Sequence, residues 1–131
     1  HFKLDFDNSD FSEKWEKIAN FKYGTIGGLI DEALGRSSGI LCDYSIVSLY
    51  EDVAYFVGTL GYDQNPEDIK KSFIKENINY IKFSFPLYFA DTTDHRYKQK
   101  LDLLKEYNFL TKEEHEKLSK NLGSLNYLLK K

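Results

Sequence analysis

The chain has 131 residues, a formal net charge of -3 and an aromatic content of 16%. This length suits one domain, because two cores of about 65 residues would each be marginal, and the aromatic content excludes a disordered chain. No run approaches the about 18 apolar residues of a membrane span. A single cysteine, Cys42, excludes an internal disulfide framework. The charged N-terminal sequence lacks the apolar core of a signal peptide, so we expect a cytoplasmic protein.

The first third of the chain predicts an extended arm and two helices. Apolar and polar residues alternate over 2–6, which suits a short strand or an extended arm. Because a lone strand has no obvious partner, we expect an arm packed on the body. Asp10 can cap a first helix over 10–22, because apolar residues follow it at helical spacing. Thr25 can cap a second helix, which Gly35 would end.

The strongest helical periodicity lies in the middle of the chain. Asp43 can cap a third helix, in which apolar residues recur at steps of three or four as far as Leu60. Asn65 and Pro66 form a typical helix start. The segment 81–89 is ambiguous, because its alternation suits a strand as well as a helix that stops before a proline. Its length favours a helix that ends near Ser84.

The C-terminal third predicts two more helices. Thr93 or Asp94 begins the first, with three residues facing inward, namely Tyr97, Leu101 and Leu104. Thr111 and Glu114 form a capping box at the start of the second. A short apolar seam follows at Leu118, Leu122, Leu125 and Leu129. We therefore predict an all-α, compact single-domain bundle of about six helices over residues 1–131, with the short N-terminal arm.

Motifs for metal, cofactor or nucleophile chemistry do not occur in the sequence. The three histidines are far apart, so no pair has the spacing of a metal site. The glycine-rich segment 23–28 lacks the lysine of a phosphate-binding loop, and no nucleophile elbow is found. We expect no metal, no cofactor and no enzymatic activity. A small enzyme that uses buried carboxylates remains a third alternative.

Charge is divided unevenly along the chain. Residues 1–68 hold 13 acidic and 5 basic side chains, whereas residues 69–131 hold 8 acidic and 13 basic ones. An acidic surface of this kind attracts basic proteins, and tyrosines beside it can anchor a contact. The Asp31-Glu32 and Glu51-Asp52 pairs are expected to face solvent. The predicted partner-binding residues are Asp31, Glu32, Asp43, Tyr44, Glu51, Asp52 and Tyr55. Two alternatives stay open. In one, helices from the two halves interleave, so that acidic and basic residues mix on the surface. In the other, the tyrosines belong to the core and the acidic residues only aid solubility.

Two stretches carry a resemblance to a known group of proteins. One is the Trp15–Asp52 region with its Tyr-Gly-Thr-Ile-Gly-Gly-Leu-Ile-Asp-Glu-Ala sequence from Tyr23, and the other is the helical hairpin Leu101–His115. The chain resembles the small cytoplasmic immunity proteins of bacterial contact-dependent inhibition and polymorphic toxin systems, in particular those paired with EndoU-type RNase toxins. The resemblance implies a non-enzymatic toxin inhibitor, a monomer or weak dimer, which occludes the basic active-site surface of a cognate nuclease domain.

A second function class is consistent with the sequence. A helical regulatory or adaptor protein would dimerise through the Leu118–Leu129 seam. It would contact nucleic acid, or a nucleic-acid-binding partner, through Arg96 and Lys100, which share one helix face. The acidic sequence pI of about 5.6 argues against tight nucleic-acid binding. Direct nucleic-acid contact is therefore not part of the leading prediction.

Overall fold

The computed structural model describes residues 9–19, 41, 49–59 and 65–129, and the fold below refers to this part of the chain. The architecture is all-α, as predicted. The α-helices are α1 (Ser9–Ala19), α2 (Leu49–Gly58), α3 (Pro66–Ser72), α4 (Ile78–Ser84), α5 (Arg96–Glu106) and α6 (Lys112–Asn121). Short 3-10 helices cover Lys75–Asn77, Pro86–Phe89 and Asn126–Leu129. The predicted arm over 2–6, the second predicted helix and the beginning of the third lie outside the described residues.

Two of the helix starts predicted from capping residues, those at Asn65 and Thr111, are confirmed. The α1 helix already begins at Ser9, so Asp10 lies within its first turn, and α5 begins at Arg96, shortly after the predicted Thr93 or Asp94. The side chain of Asn65 accepts a hydrogen bond from the Glu67 backbone N–H at 2.8 Å, at the start of α3. Thr111 and Glu114 exchange side-chain to backbone hydrogen bonds of 3.0 and 2.8 Å, which is the reciprocal pattern of a capping box. These interactions satisfy N–H groups that the first turn of a helix otherwise leaves without acceptors.

The ambiguous segment is helical. The α4 helix ends at Ser84 and a 3-10 turn begins at Pro86, which confirms the prediction of a helix ending near Ser84. The chain from Pro66 is not one continuous helix, however, because the residues after Ser72 become extended. The Asn77 side chain accepts from the Ile74 backbone N–H at 2.9 Å and donates to the Ser72 carbonyl at 3.0 Å, so it replaces helical hydrogen bonds across the break.

The main core lies where α1 and α2 pack against α5. Trp15 is fully buried, with ring centroids 5.7 Å from Phe11 and 5.8 Å from Phe56. The α5 residues predicted to face inward, Tyr97, Leu101 and Leu104, are all buried there. A second, smaller core joins α3, α4 and the C-terminal turn through Ile69, Ile81, Tyr88, Phe89 and Leu125.

The predicted leucine seam is wrong as a continuous helix face. The α6 helix ends at Asn121, and Gly123 takes a left-handed conformation with φ of 66°. A Cβ at Gly123 would overlap the Thr92 side chain and lie 2.9 Å from the Ala90 carbonyl oxygen, so the turn needs a glycine for space as well as for φ. The seam divides between the cores, since Leu118 belongs to the main core and Leu125 to the second. It therefore holds this chain together internally.

Candidate functional site

The α2 helix is apolar almost all round, and only one side of it is buried. Its charged residues are Glu51 and Asp52 alone. Val53 and Phe56 point into the main core together with Asp52. On the opposite side Tyr50 is 48% exposed, Glu51 is half-buried, and Ala54 and Gly58 follow at four-residue steps. We call Tyr50, Glu51, Ala54 and Gly58 the outer face of α2.

Asp52 does not face solvent, so the prediction of a solvent-facing Glu51-Asp52 pair is wrong for this residue. Its side chain is 0% exposed. Lys100 Nζ donates to Asp52 Oδ2 at 2.6 Å, and Trp15 Nε1–H donates to the same oxygen at 3.1 Å. A carboxylate can be buried when a cation and a second donor replace its hydration. Asp52 is therefore part of the core and not a contact residue for a partner.

The predicted phosphate-contacting face of Arg96 and Lys100 is also wrong. Lys100 is fully buried, with Nζ 5.2 Å from the Trp15 ring centroid and 5.5 Å from that of Phe56. Burial lowers the pKa of Lys100, and the carboxylate of Asp52 opposes this shift. Residues four apart do share a helix face, but on α5 that face packs against the core and not against solvent.

Arg96 is engaged by its own surroundings. Its Nε and Nη2 donate to the Asp94 carboxylate at 2.9 and 3.0 Å, and Nη1 donates to the Ala19 carbonyl at 3.0 Å. The guanidinium therefore ties the start of α5 to the end of α1. Neither surface predicted for the nucleic-acid alternative is present in the described residues. The Arg96–Lys100 face is not a free cationic face, and the leucines at 118 and 125 are buried in the two cores.

Charges from the two halves of the sequence mix where α1 and α2 meet α5. Lys14 Nζ lies 3.4 Å from Glu106 Oε2 and 3.5 Å from Asp10 Oδ2. The Tyr107 hydroxyl donates to Asp10, and this hydrogen bond lowers the pKa of the Asp10 carboxyl. In the described part of the chain, therefore, interleaving of the halves is the better description. An acidic surface must be a local feature.

A polar link between α5 and α6 was not predicted. His115 is buried and its Nε2 lies 2.7 Å from Asp102 Oδ1, which also accepts from Lys98 Nζ at 2.6 Å. Partial burial opposes ionisation of Asp102, but the hydrogen bonds from Lys98 and His115 lower its pKa below the ordinary value. No periodic signal marks His115 as the partner of Asp102, since the contact depends on how the two helices pack.

The remaining predicted site residues divide into two groups. Tyr55 is partly buried against the main core, at the edge of the outer face of α2. Asp31, Glu32, Asp43 and Tyr44 lie outside the described residues. The structure thus leaves Glu51 half-buried on the outer face of α2, with the exposed Tyr50 beside it.

The described residues contain no group of three or more His, Cys, Asp or Glu side chains that could hold a metal ion. Among the helices that the structure describes, none is long and apolar enough to cross a membrane. Comparisons with protein-family models, curated proteins and solved structures find no match to this chain.

Proposed function

We propose that this protein is a non-enzymatic immunity protein that binds and neutralises a cognate nuclease toxin domain. The observation that carries the proposal is the exposure of Tyr50 beside Glu51 on the outer face of α2. A nuclease binds substrate phosphates with Lys and Arg side chains, and a carboxylate on an inhibitor can occupy the same positions. A tyrosine beside it supplies a large, rigid contact at small entropic cost.

The outer face of α2 also has the shape for close contact. Ala54 and Gly58 follow Tyr50 along the helix, and a Cβ added at Gly58 would meet no atom of the described residues within 4 Å. A partner can therefore approach the helix backbone beyond the Tyr50 ring. The acidic residues Asp31, Glu32 and Asp43 stay proposed contacts on their charge alone, whereas Asp52 is excluded by its burial.

The first experiment identifies the partner. The tagged protein is incubated with lysate of the producing cell at moderate salt, and retained proteins are identified by mass spectrometry. The proposal requires one basic domain in stoichiometric complex, with nuclease activity that the purified protein abolishes. Retention of nucleic acid that is released by added salt would instead favour the adaptor function.

A matched pair of variants then tests the surface. Tyr50→Ala with Glu51→Lys changes the outer face of α2, while Tyr127→Ala with Glu116→Lys makes the same changes elsewhere. The control is suitable because Tyr127 is 52% exposed, close to the 48% of Tyr50. We expect the α2 variant to raise Kd by about 30-fold or more, as for a central aromatic and its charged neighbour. The control should change Kd by less than about threefold. Equal losses would contradict the assignment of this face.

A further inference from the structure

We propose that the buried Asp52–Lys100 ion pair sets the rotation of α2 about its own axis, and so keeps Tyr50 and Glu51 on the surface. In this role Asp52 and Lys100 are positioning residues for the outer face of α2. The inference concerns α2 itself, and only its consequence for partner binding rests on the proposed function.

The apolar pattern of α2 does not select the rotation that is observed. Seven of its ten residues, in the sequence Leu-Tyr-Glu-Asp-Val-Ala-Tyr-Phe-Val-Gly, are aliphatic or aromatic. Consecutive residues are about 100° apart on a helix, so Glu51 and Asp52 are neighbours on one side. Burial of apolar area alone would turn both acids outward. That arrangement needs a rotation of about 60° from the observed one, and it would bury Tyr50 and expose Asp52.

The ion pair supplies the directional interaction that decides between the two rotations. Asp52 Oδ2 accepts from Lys100 on α5 at 2.6 Å and from Trp15 on α1 at 3.1 Å. Two donors from two helices fix the position of one oxygen atom, and hydrogen bonds weaken steeply when they are misaligned. Tyr50 lies about 200° from Asp52 around the helix, so fixing Asp52 inward holds Tyr50 outward.

A buried ion pair of this kind contributes specificity more readily than stability. Desolvation of the two charges offsets most of their attraction, and apolar replacement of such a pair is often neutral. Apolar burial of Val53 and Phe56, by contrast, is non-directional, and both residues stay on the inward half of the helix after a rotation of about 60°. The pair therefore accounts for an orientation of α2 that its hydrophobic contacts leave undetermined.

The orientation can be measured without any partner. Tetranitromethane nitrates exposed tyrosines, and peptide mass spectrometry gives the rate at Tyr50 relative to Tyr80, which is 68% exposed on α4. In Asp52→Leu/Lys100→Met the relative rate should fall by about threefold or more, as the ring turns from half-exposed to buried. Asp52→Asn/Lys100→Gln keeps an acceptor on α2 and a donor, one bond shorter, on α5, so it should restore the wild-type rate.

Each result has a defined meaning. An unchanged Tyr50 rate in folded Asp52→Leu/Lys100→Met would overturn the inference. If circular dichroism shows that this variant is unfolded, Asp52→Ala/Lys100→Met removes the pair without added volume and carries the same expectation. Affinity for the captured partner should fall about tenfold in the apolar variant and recover in the amide variant. A changed nitration rate with unchanged affinity would retain the role in orientation and refute the proposed binding face.

Discussion

Replacing Lys100 alone should cost far more stability than replacing both members of the buried pair. In Lys100→Met the Asp52 carboxylate, 0% exposed, loses its counter-ion, and breaking a buried pair in this way costs about 3–5 kcal/mol. In Asp52→Leu/Lys100→Met no unpaired charge is left, and such replacements are neutral or stabilise by about 1–4 kcal/mol. The indole N–H of Trp15 loses its acceptor, which costs about 1–3 kcal/mol. Because these two effects oppose each other, we expect the free energy of unfolding of the double variant to lie within about 1 kcal/mol of the wild-type value.

Urea unfolding followed by far-ultraviolet circular dichroism measures this cycle. Trp15 fluorescence is unsuitable, because the substitutions change the surroundings of that ring. A loss of about 4 kcal/mol lowers the unfolding midpoint by about 2–3 M at a slope of about 1.5 kcal/mol per M. The single Asp52→Leu variant completes the cycle, and the coupling energy follows from the four values. A double variant as unstable as Lys100→Met would refute the reasoning, because the penalty would then be lost packing.

The Asp52→Leu variant also carries a pH signature. Burial already lowers the pKa of Lys100, and Asp52 is the largest opposing influence. Without Asp52 the pKa of folded Lys100 lies further below the ordinary 10.5, so the unfolded chain binds the proton more tightly. Stability of the variant should therefore rise as the pH increases from neutral toward 10.5. The same urea measurement at several pH values checks this, and a flat or falling profile would contradict it.

Three further predictions test local features. Gly123→Ala should lower the free energy of unfolding by about 2–3 kcal/mol, since the left-handed backbone alone costs about 1–2 kcal/mol. Gly58→Ala should raise it by up to about 1 kcal/mol. Thermal unfolding measures both, and equal effects would contradict the difference in space between the two sites. Thr111→Ala should lose about 1 kcal/mol in urea unfolding through the missing cap, and an unchanged midpoint would show that the cap adds nothing. Although partial burial opposes it, hydrogen bonding holds the pKa of Asp102 below 3.8, so its stabilising contribution is complete above that pH and lost below it. In Asp102→Asn the free energy of unfolding should therefore depend less on pH in acid, whereas Glu116→Gln should keep the wild-type dependence. Equal pH dependence in the two variants would exclude this contribution of Asp102.

Features predicted correctly from the sequence depend on residues close together in the chain. Asn65 caps a helix whose N–H group is two residues away, and Thr111 exchanges hydrogen bonds with Glu114 three residues away. The core positions of α5 follow equally well from spacing, because burial of one helix face needs only a periodic apolar pattern. The all-α class was predictable for the same reason.

Features predicted wrongly depend on contacts between distant residues. Asp52 and Lys100 are 48 positions apart in the sequence. Each is a charged residue type that is usually exposed, so neither one alone predicts burial. The end of α6 depends on Gly123 packing against Ala90, so the leucine spacing could not reveal the division of the seam. The break after Ser72 depends on the side chain of Asn77, which competes with helical hydrogen bonds.

Burial also decides which charge reversals can test the proposed function. One test would replace all acidic residues of the α2 region by lysine and use the same change in α6 as the control. The measured loss of affinity would then contain a loss of folding stability as well. Asp52→Lys would place a second cation beside Lys100 in the core, and Glu114→Lys would remove a capping box.

The informative comparison is Glu51→Lys, on the outer face of α2, against Glu116→Lys. Against a basic nuclease, Glu51→Lys should lower the association rate and weaken its dependence on salt, because it removes attraction at the contact itself. Glu116→Lys, on α6, should leave both nearly unchanged. Stopped-flow association at several salt concentrations separates the two, and equal changes would mean that long-range net charge, and not the outer face of α2, governs recognition.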